Sequence, residues 1–176
     1  MQASMWMIHD QIADLVAECH LSALSSKCLI SGAVPYREGT ELSSARLYVV
    51  DTARLPAGSS FTIPDTRCFL LVCGNSFVPP QGGRCQYLVV KPGVSCADAM
   101  AAASEAFLRY AEWHDQLIGE LLGKHDLNRL CEIGTEMLEN PIMLYDRDYA
   151  VIGNSLFPDY AEYMWMMEKT SSYYLT

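Results

Sequence analysis

Over residues 5–18, Met5, Ile8, Ile12, Leu15 and Val16 recur near helical spacing with polar residues between them. The spacing predicts a short amphipathic helix. Residues 27–31 read as a strand, and 31–44, with Gly32, Pro35 and Gly39, as a turn-rich loop. Three further runs, 46–50, 67–73 and 86–90, are aliphatic, β-branched or aromatic almost throughout and are bounded by Pro or Gly. Such continuous apolarity predicts strands of a sheet covered on both faces. Helices at the two ends of the region are the expected covers, and 55–58 and 78–83 the connecting loops.

The helical period returns after Ser95 and dominates. From Cys96 to about Leu122 there is no Pro, and Gly119 is the only Gly. Ser95 is a good N-cap, with Asp98 three positions later in the place of a capping-box Glu. Met100, Ala103, Phe107, Tyr110, His114, Leu117 and Leu121 alternate three and four apart, the heptad period that packs helix on helix. Straight, such a helix runs about 40 Å. It can lie across a sheet as a core helix, or connect two modules and pair two subunits. As a dimer interface it offers Met100, Phe107, Tyr110, His114, Leu117 and Leu121.

A second helix follows, with Asp126 as N-cap and Leu127, Leu130, Ile133, Met137 and Leu138 on one face, stopped at Asn140-Pro141. Residues 142–145 and 149–152 then read as a hairpin around Asp146-Arg147-Asp148, where the carboxylates serve as turn formers. The aromatic-rich tail has too little partner surface to bury itself, so the expectation is a chain that stops inside a second domain. The predicted organisation is mixed α/β: a small sheet domain with flanking helices over 1–95, a long connecting helix over 96–125, and the start of another domain over 126–176.

Charge sharpens this division. Residues 1–95 carry seven acidic and seven basic side chains, and residues 96–176 fourteen and five, so the second part holds the whole net charge of −9. Neither part offers the Lys/Arg cluster that replaces counterions on phosphate, which argues against direct nucleic-acid binding. No apolar run approaches the ~20 residues of a membrane span, and the first ten residues lack the pattern of a signal peptide. The seven cysteines are odd in number and irregularly spaced, several inside apolar runs. They read as reduced thiols of a cytoplasmic protein.

Chemistry is sparse. Gln81-Gly82-Gly83-Arg84 lacks the Lys-Ser/Thr end of a phosphate loop. Cys68 and Cys73 fall in one strand run and point to opposite faces, which is wrong for one tetrahedral metal. Neither a metal nor a cofactor is expected. Cys96 is the thiol with a mechanistic argument, because helix-start N–H groups favour a thiolate. A nucleophile also needs a base, and His114 and His125 lie ~27 Å or more along a straight helix. The turn Cys73-Gly74-Asn75-Ser76, after a buried strand, is where an α/β domain places a ligand.

Two stretches together resemble a known family. Residues 106–118, with Phe107, Tyr110, Trp113 and Leu117, are similar to the connecting helix of PucR/CdaR-type bacterial transcription regulators, the purine-catabolism and sugar-diacid regulator-like proteins. Residues 126–155, with Asn140-Pro141, Asp146 and Tyr149, resemble the opening of their central GAF/PAS-like domain. The resemblance implies a sensory region, a linking helix, a GAF/PAS-like domain and a helix-turn-helix elsewhere. It carries no catalytic residue. The expected function is thus effector sensing and self-association, as a homodimer responding to a small molecule and without enzymatic activity. The rivals are a small thiol enzyme using Cys96 and a purely structural oligomerisation module.

Overall fold

A computed structural model of the 176-residue chain describes residues 2–22, 25, 29–55, 67–74, 77, 85–123 and 125–155. The architecture is mixed α/β and divides into two compact units, Met1–Glu112 and Trp113–Thr176. In the first, β1 (Ala3–Ser4) leads into α1 (Met5–Gln11), followed by a 3-10 turn at Ala13–Leu15. Next come β2 (Val16–His20), β3 (Leu29–Ile30), β4 (Ala33–Pro35), β5 (Leu47–Asp51), β6 (Cys68–Cys73) and β7 (Cys85–Val90). The long helix α2 (Cys96–Leu122) begins here.

Five strands form the main sheet in the order β2-β7-β6-β5-β4. β4 to β7 are mutually parallel, and β2 closes the far edge antiparallel to β7. β1 and β3 pair separately. The three apolar runs are the three central strands, as their composition predicts. β6 is buried at every position, with Phe69, Leu70, Leu71 and Val72 fully so. Its neighbours explain why: β5 and β7 flank it, and both its faces are covered.

The covers differ from the expected pair of helices. One face carries Tyr48, Val50, Cys68, Leu70 and Val72, and what packs on it is Leu42, Val34, Tyr36, Leu55 and Phe77, residues of an edge strand and of connections. By alternation, Leu47, Val49, Phe69, Leu71, Leu88 and Val90 point to the other side. That side is buried too, and α1 (Met5, Ile8) and α2 (Ala99, Ala103, Ala106) each bury a stripe of their own. Gln86, also on that side, is buried but satisfied: it accepts from the Ser25 hydroxyl and donates to Ser22 Oγ at 2.9 Å. Trp6 Nε1 donates to the Ser22 carbonyl at 3.1 Å, fastening the same turn to α1.

Two local expectations change. The predicted helix over 5–18 ends at Gln11, and 16–20 is instead β2, whose register partners run from Val90 to Tyr87. The open edge of β7 takes Val16-Ala17-Glu18-Cys19-His20 as a partner, and ladder bonds outweigh a weak helical period. The loop expected over 31–44 contains β4, which continues the parallel sheet from Ala33 to Pro35. Proline fits there because, among the described residues, β4 is the edge strand of this sheet.

α2 runs unbroken over the predicted span. At its start, Ser95 Oγ accepts from Asp98 N at 3.1 Å, and the Ser95 hydroxyl donates to the Asp98 carboxylate at 2.6 Å. The division between the two compact units falls inside this helix, after Glu112.

The second unit is built on α3 (Leu127–Leu138) and the hairpin β8 (Met143–Tyr145) and β9 (Val151–Asn154). Asp126 caps α3 by accepting from Asn128 N and Arg129 N. Glu139 ends it in a left-handed conformation, with its N–H on the Thr135 carbonyl. In the turn, Asp146 Oδ1 accepts from Asp148 N (2.8 Å) and Ala150 N (2.9 Å), the turn-forming role its position predicts. α3 packs on the hairpin: Asn154 N donates to Asn128 Oδ1 at 2.9 Å, and Ser155 Oγ joins Thr135 to Ile142 N. Trp113, in the last part of α2, donates from Nε1 to the Ile133 carbonyl at 3.1 Å. The aromatic tail after Ser155, including Trp165, lies outside the described residues.

Candidate functional site

Four parallel strands bring their carboxyl ends to one edge of the sheet, where Pro35, Asp51, Cys73 and Val90 stand. Asp51 and Cys73 are register partners. The chain leaves β5 in a 3-10 turn, Thr52–Arg54, capped by Asp51 Oδ1, which accepts from Ala53 N at 3.1 Å. The other carboxylate oxygen meets Arg54 Nε at 3.1 Å. The Asp51 carboxylate is thus already engaged by its own turn.

β6 ends against that turn. Gly74 has φ +103°, and a Cβ there would lie 2.1 Å from Thr52 Oγ1. Only a residue without a side chain lets the chain leave β6 this close to β5. Cys73 is buried, and Cys96, the first residue of α2, is near enough to perturb its thiol. Burial pushes the Cys73 thiol up to about 12, with the charge and hydrogen bond of Cys96 and the charge of Asp51 adding to it. The start of α2 therefore sits at the strand ends, with Ser95 and Asp98 beside it in sequence.

Of the predicted ligand turn, Cys73 and Gly74 are placed at this edge, while Asn75 and Ser76 lie outside the described residues. Phe77 packs edge-on to Tyr87 with ring centroids 5.0 Å apart, so by that point the chain has reached the sheet face that holds Cys68. The prediction that Cys68 and Cys73 face opposite ways holds: Cys68 lies on the face with Leu70 and Val72, and alternation along β6 puts Cys73 on the other. A further cleft, of about 200 Å³, lies elsewhere, lined by Gln11, Ala102, Glu105, Ala106 and Arg109. It is smaller than the roughly 300–1,000 Å³ of ordinary ligand pockets.

The six positions offered as a dimer interface do not share one environment. Tyr110 is 5% exposed and belongs to the interior of the first unit. Its hydroxyl donates to the Met7 carbonyl at 3.2 Å and accepts from Gln11 Nε2 at 3.5 Å, while Arg109 donates to Gln11 Oε1 at 2.8 Å. That removes Tyr110 from any surface offered to a partner. Met100, Phe107 and Leu117 are half-buried, and His114 and Leu121 are exposed. Of the heptad positions, α2 buries Ala103 and Tyr110, together with Ala99 and Ala106, which the heptad reading passed over. Leu108, Ile118 and Leu122, which it passed over, are exposed.

Sequence reasoning also missed Asp51 and the nearness of Cys96 to Cys73. An acidic residue closing an apolar strand run was the available signal for the first. The second joins residues on separate elements, and no spacing marks it. Compared with known proteins, the chain matches no family model, no curated protein and no solved structure.

Proposed function

We propose that the chain is an effector-sensing, self-associating region of a PucR/CdaR-type bacterial transcription regulator, with no chemistry of its own. The observation that carries this reading is the strand-end edge itself, where Gly74 closes on Thr52 and the start of α2 is near enough for Cys96 to perturb the Cys73 thiol. A small molecule held at the strand ends touches the first turn of a 27-residue helix that contributes residues to both units. If it binds two positions of that turn unequally, it shifts the equilibrium between them. The Tyr110–Gln11–Arg109 network fastens the middle of α2 to α1, which gives the helix a defined resting place. The order α3, β8, turn, β9 is the helix-strand-turn-strand order of the resemblance, and this supports a GAF/PAS-like second unit.

Self-association uses the exposed apolar side of α2, where Leu121 and Leu122 stand with Ile118. Direct binding to nucleic acid is no part of this reading, given the −9 charge and the absence of a basic cluster. The test combines a thermal-shift screen against purines, ureides and sugar acids with sedimentation velocity. The expected outcome is a raised melting temperature for one class, together with a dimer that Leu121→Asp converts to monomer. A strict monomer with a flat screen removes the reading.

A further inference from the structure

Ala102, Glu105, Ala106 and Arg109 recur at the spacing that puts residues on one face of α2. With Gln11, the last residue of α1, they line the cleft of about 200 Å³ in the first unit. We propose that this cleft binds a small free α-amino acid, its carboxylate on Arg109 and its ammonium group on Glu105.

The lining fixes the chemistry of the ligand. Glu105 stands four residues before Arg109, the spacing and order at which such a pair joins on a helix surface. Among the described residues no ion pair links them, and none reaches Glu105 from another cation. Arg109 turns to α1 instead, donating from Nη1 to Gln11 Oε1 at 2.8 Å. Gln11 is held in its turn: its Nε2 donates to the Tyr110 hydroxyl, which donates to the Met7 carbonyl. The guanidinium is thereby positioned, and its fork has further N–H groups for a carboxylate. Both charged residues are exposed, so they stand where a ligand enters, while Ala106 is buried and Ala102 half-buried.

A cation and an anion held apart on one wall discriminate between ligands. A simple carboxylate meets Arg109 but is repelled by Glu105, and a simple amine meets the reverse. A molecule with both charges on neighbouring carbons satisfies both residues. Size narrows the class. A cavity of about 150 Å³ takes one benzene, so a cleft of about 200 Å³ suits alanine, serine or threonine. Ala102 and Ala106 keep that room open, since longer side chains at either position would fill it.

The experiment titrates the isotope-labelled full chain with L-alanine, L-serine and L-threonine, and separately with propionate and ethylamine, which carry one charge each. Nuclear magnetic resonance reads the Arg109 Nε–H, the Gln11 side-chain amide and the backbone amides of Ala102 and Ala106. The expected result is saturable shifts at these groups with alanine, at concentrations where propionate and ethylamine leave them in place. In Glu105→Gln, alanine should bind about fivefold more weakly, the effect of an exposed ion pair. Propionate should bind more tightly to the same variant, because the repelling carboxylate is gone. A disturbed fold would weaken both, so the exchange of preference reads the site. The wild-type titrations stand without any variant.

No saturable shift with alanine, serine or threonine overturns the proposal. So does propionate binding to the wild type as tightly as alanine. This site lies apart from the strand-end edge and does not depend on the function proposed above. An alanine response with a flat screen of purines, ureides and sugar acids removes the strand-end sensing and leaves the amino-acid site. A positive screen without an amino-acid response does the reverse.

Discussion

Gly74 shows how far one position constrains the strand-end edge. Two separate penalties meet there: a left-handed φ, and a space already filled by Thr52 Oγ1. Gly93 has a similar φ of +92° but open space around it. Gly93→Ala should therefore cost only backbone strain, about 1–2 kcal/mol. Gly74→Ala should cost that and a displaced Thr52 besides, about 3 kcal/mol. Urea unfolding of the two variants checks the order, and equal losses would show that the Thr52 contact carries no weight. Only part of this was readable in the chain. A Gly after a strand marked a turn, but neither the sign of φ nor the neighbour across β5 is written in Cys73-Gly74-Asn75-Ser76.

Helix termini and interiors are where elementary propensity speaks most directly. Asp126 accepts from two N–H groups at the start of α3, so Asp126→Ala should lose about 1 kcal/mol and fray that helix. Gly119 lies inside α2 with nothing within 4 Å of a Cβ built on it. Replacing it with Ala removes backbone freedom from the unfolded chain without a clash, and should add about 1 kcal/mol. A lowered denaturation midpoint for Gly119→Ala would mean that α2 needs its glycine. Both helices were legible because period, cap and stop agree along one stretch. β2 and β4 were not, since each owes its conformation to a partner far away in sequence. Val16 pairs with Val90, and Ala33 with Leu47.

Across the molecule, buried titratable groups set how stability responds to alkali. Burial raises Cys73 to about 12 from an ordinary 9.0, and raises Tyr110, Tyr87 and Tyr36 above 10.0. A group that holds its proton more tightly when folded contributes its full share below its unfolded pKa, and loses it as pH climbs through the folded value. The denaturation midpoint should therefore begin to fall near pH 9, as the unfolded thiol ionises, and fall faster above about 10, where unfolded tyrosines do the same. Cys73→Ala should reduce the first of these phases without removing it, because Cys85, through its hydrogen bond with Cys68, and Cys131, through burial, are raised as well. A midpoint unchanged from pH 8 to 11 would contradict the burial of these groups.

The central strands, the two longer helices and the opposite facing of Cys68 and Cys73 follow from local periodicity, because each depends on residues a few positions apart. Which strands became neighbours and which helix residues turned inward depended on chain closure over tens of residues. Tyr110 illustrates the difference. Its place in a heptad is a property of α2 alone, but its hydrogen bonds to Met7 and Gln11 come from α1, about a hundred residues earlier. Contacts at such separation leave no spacing in the chain, so the strand-end site became visible only once the fold had joined its parts.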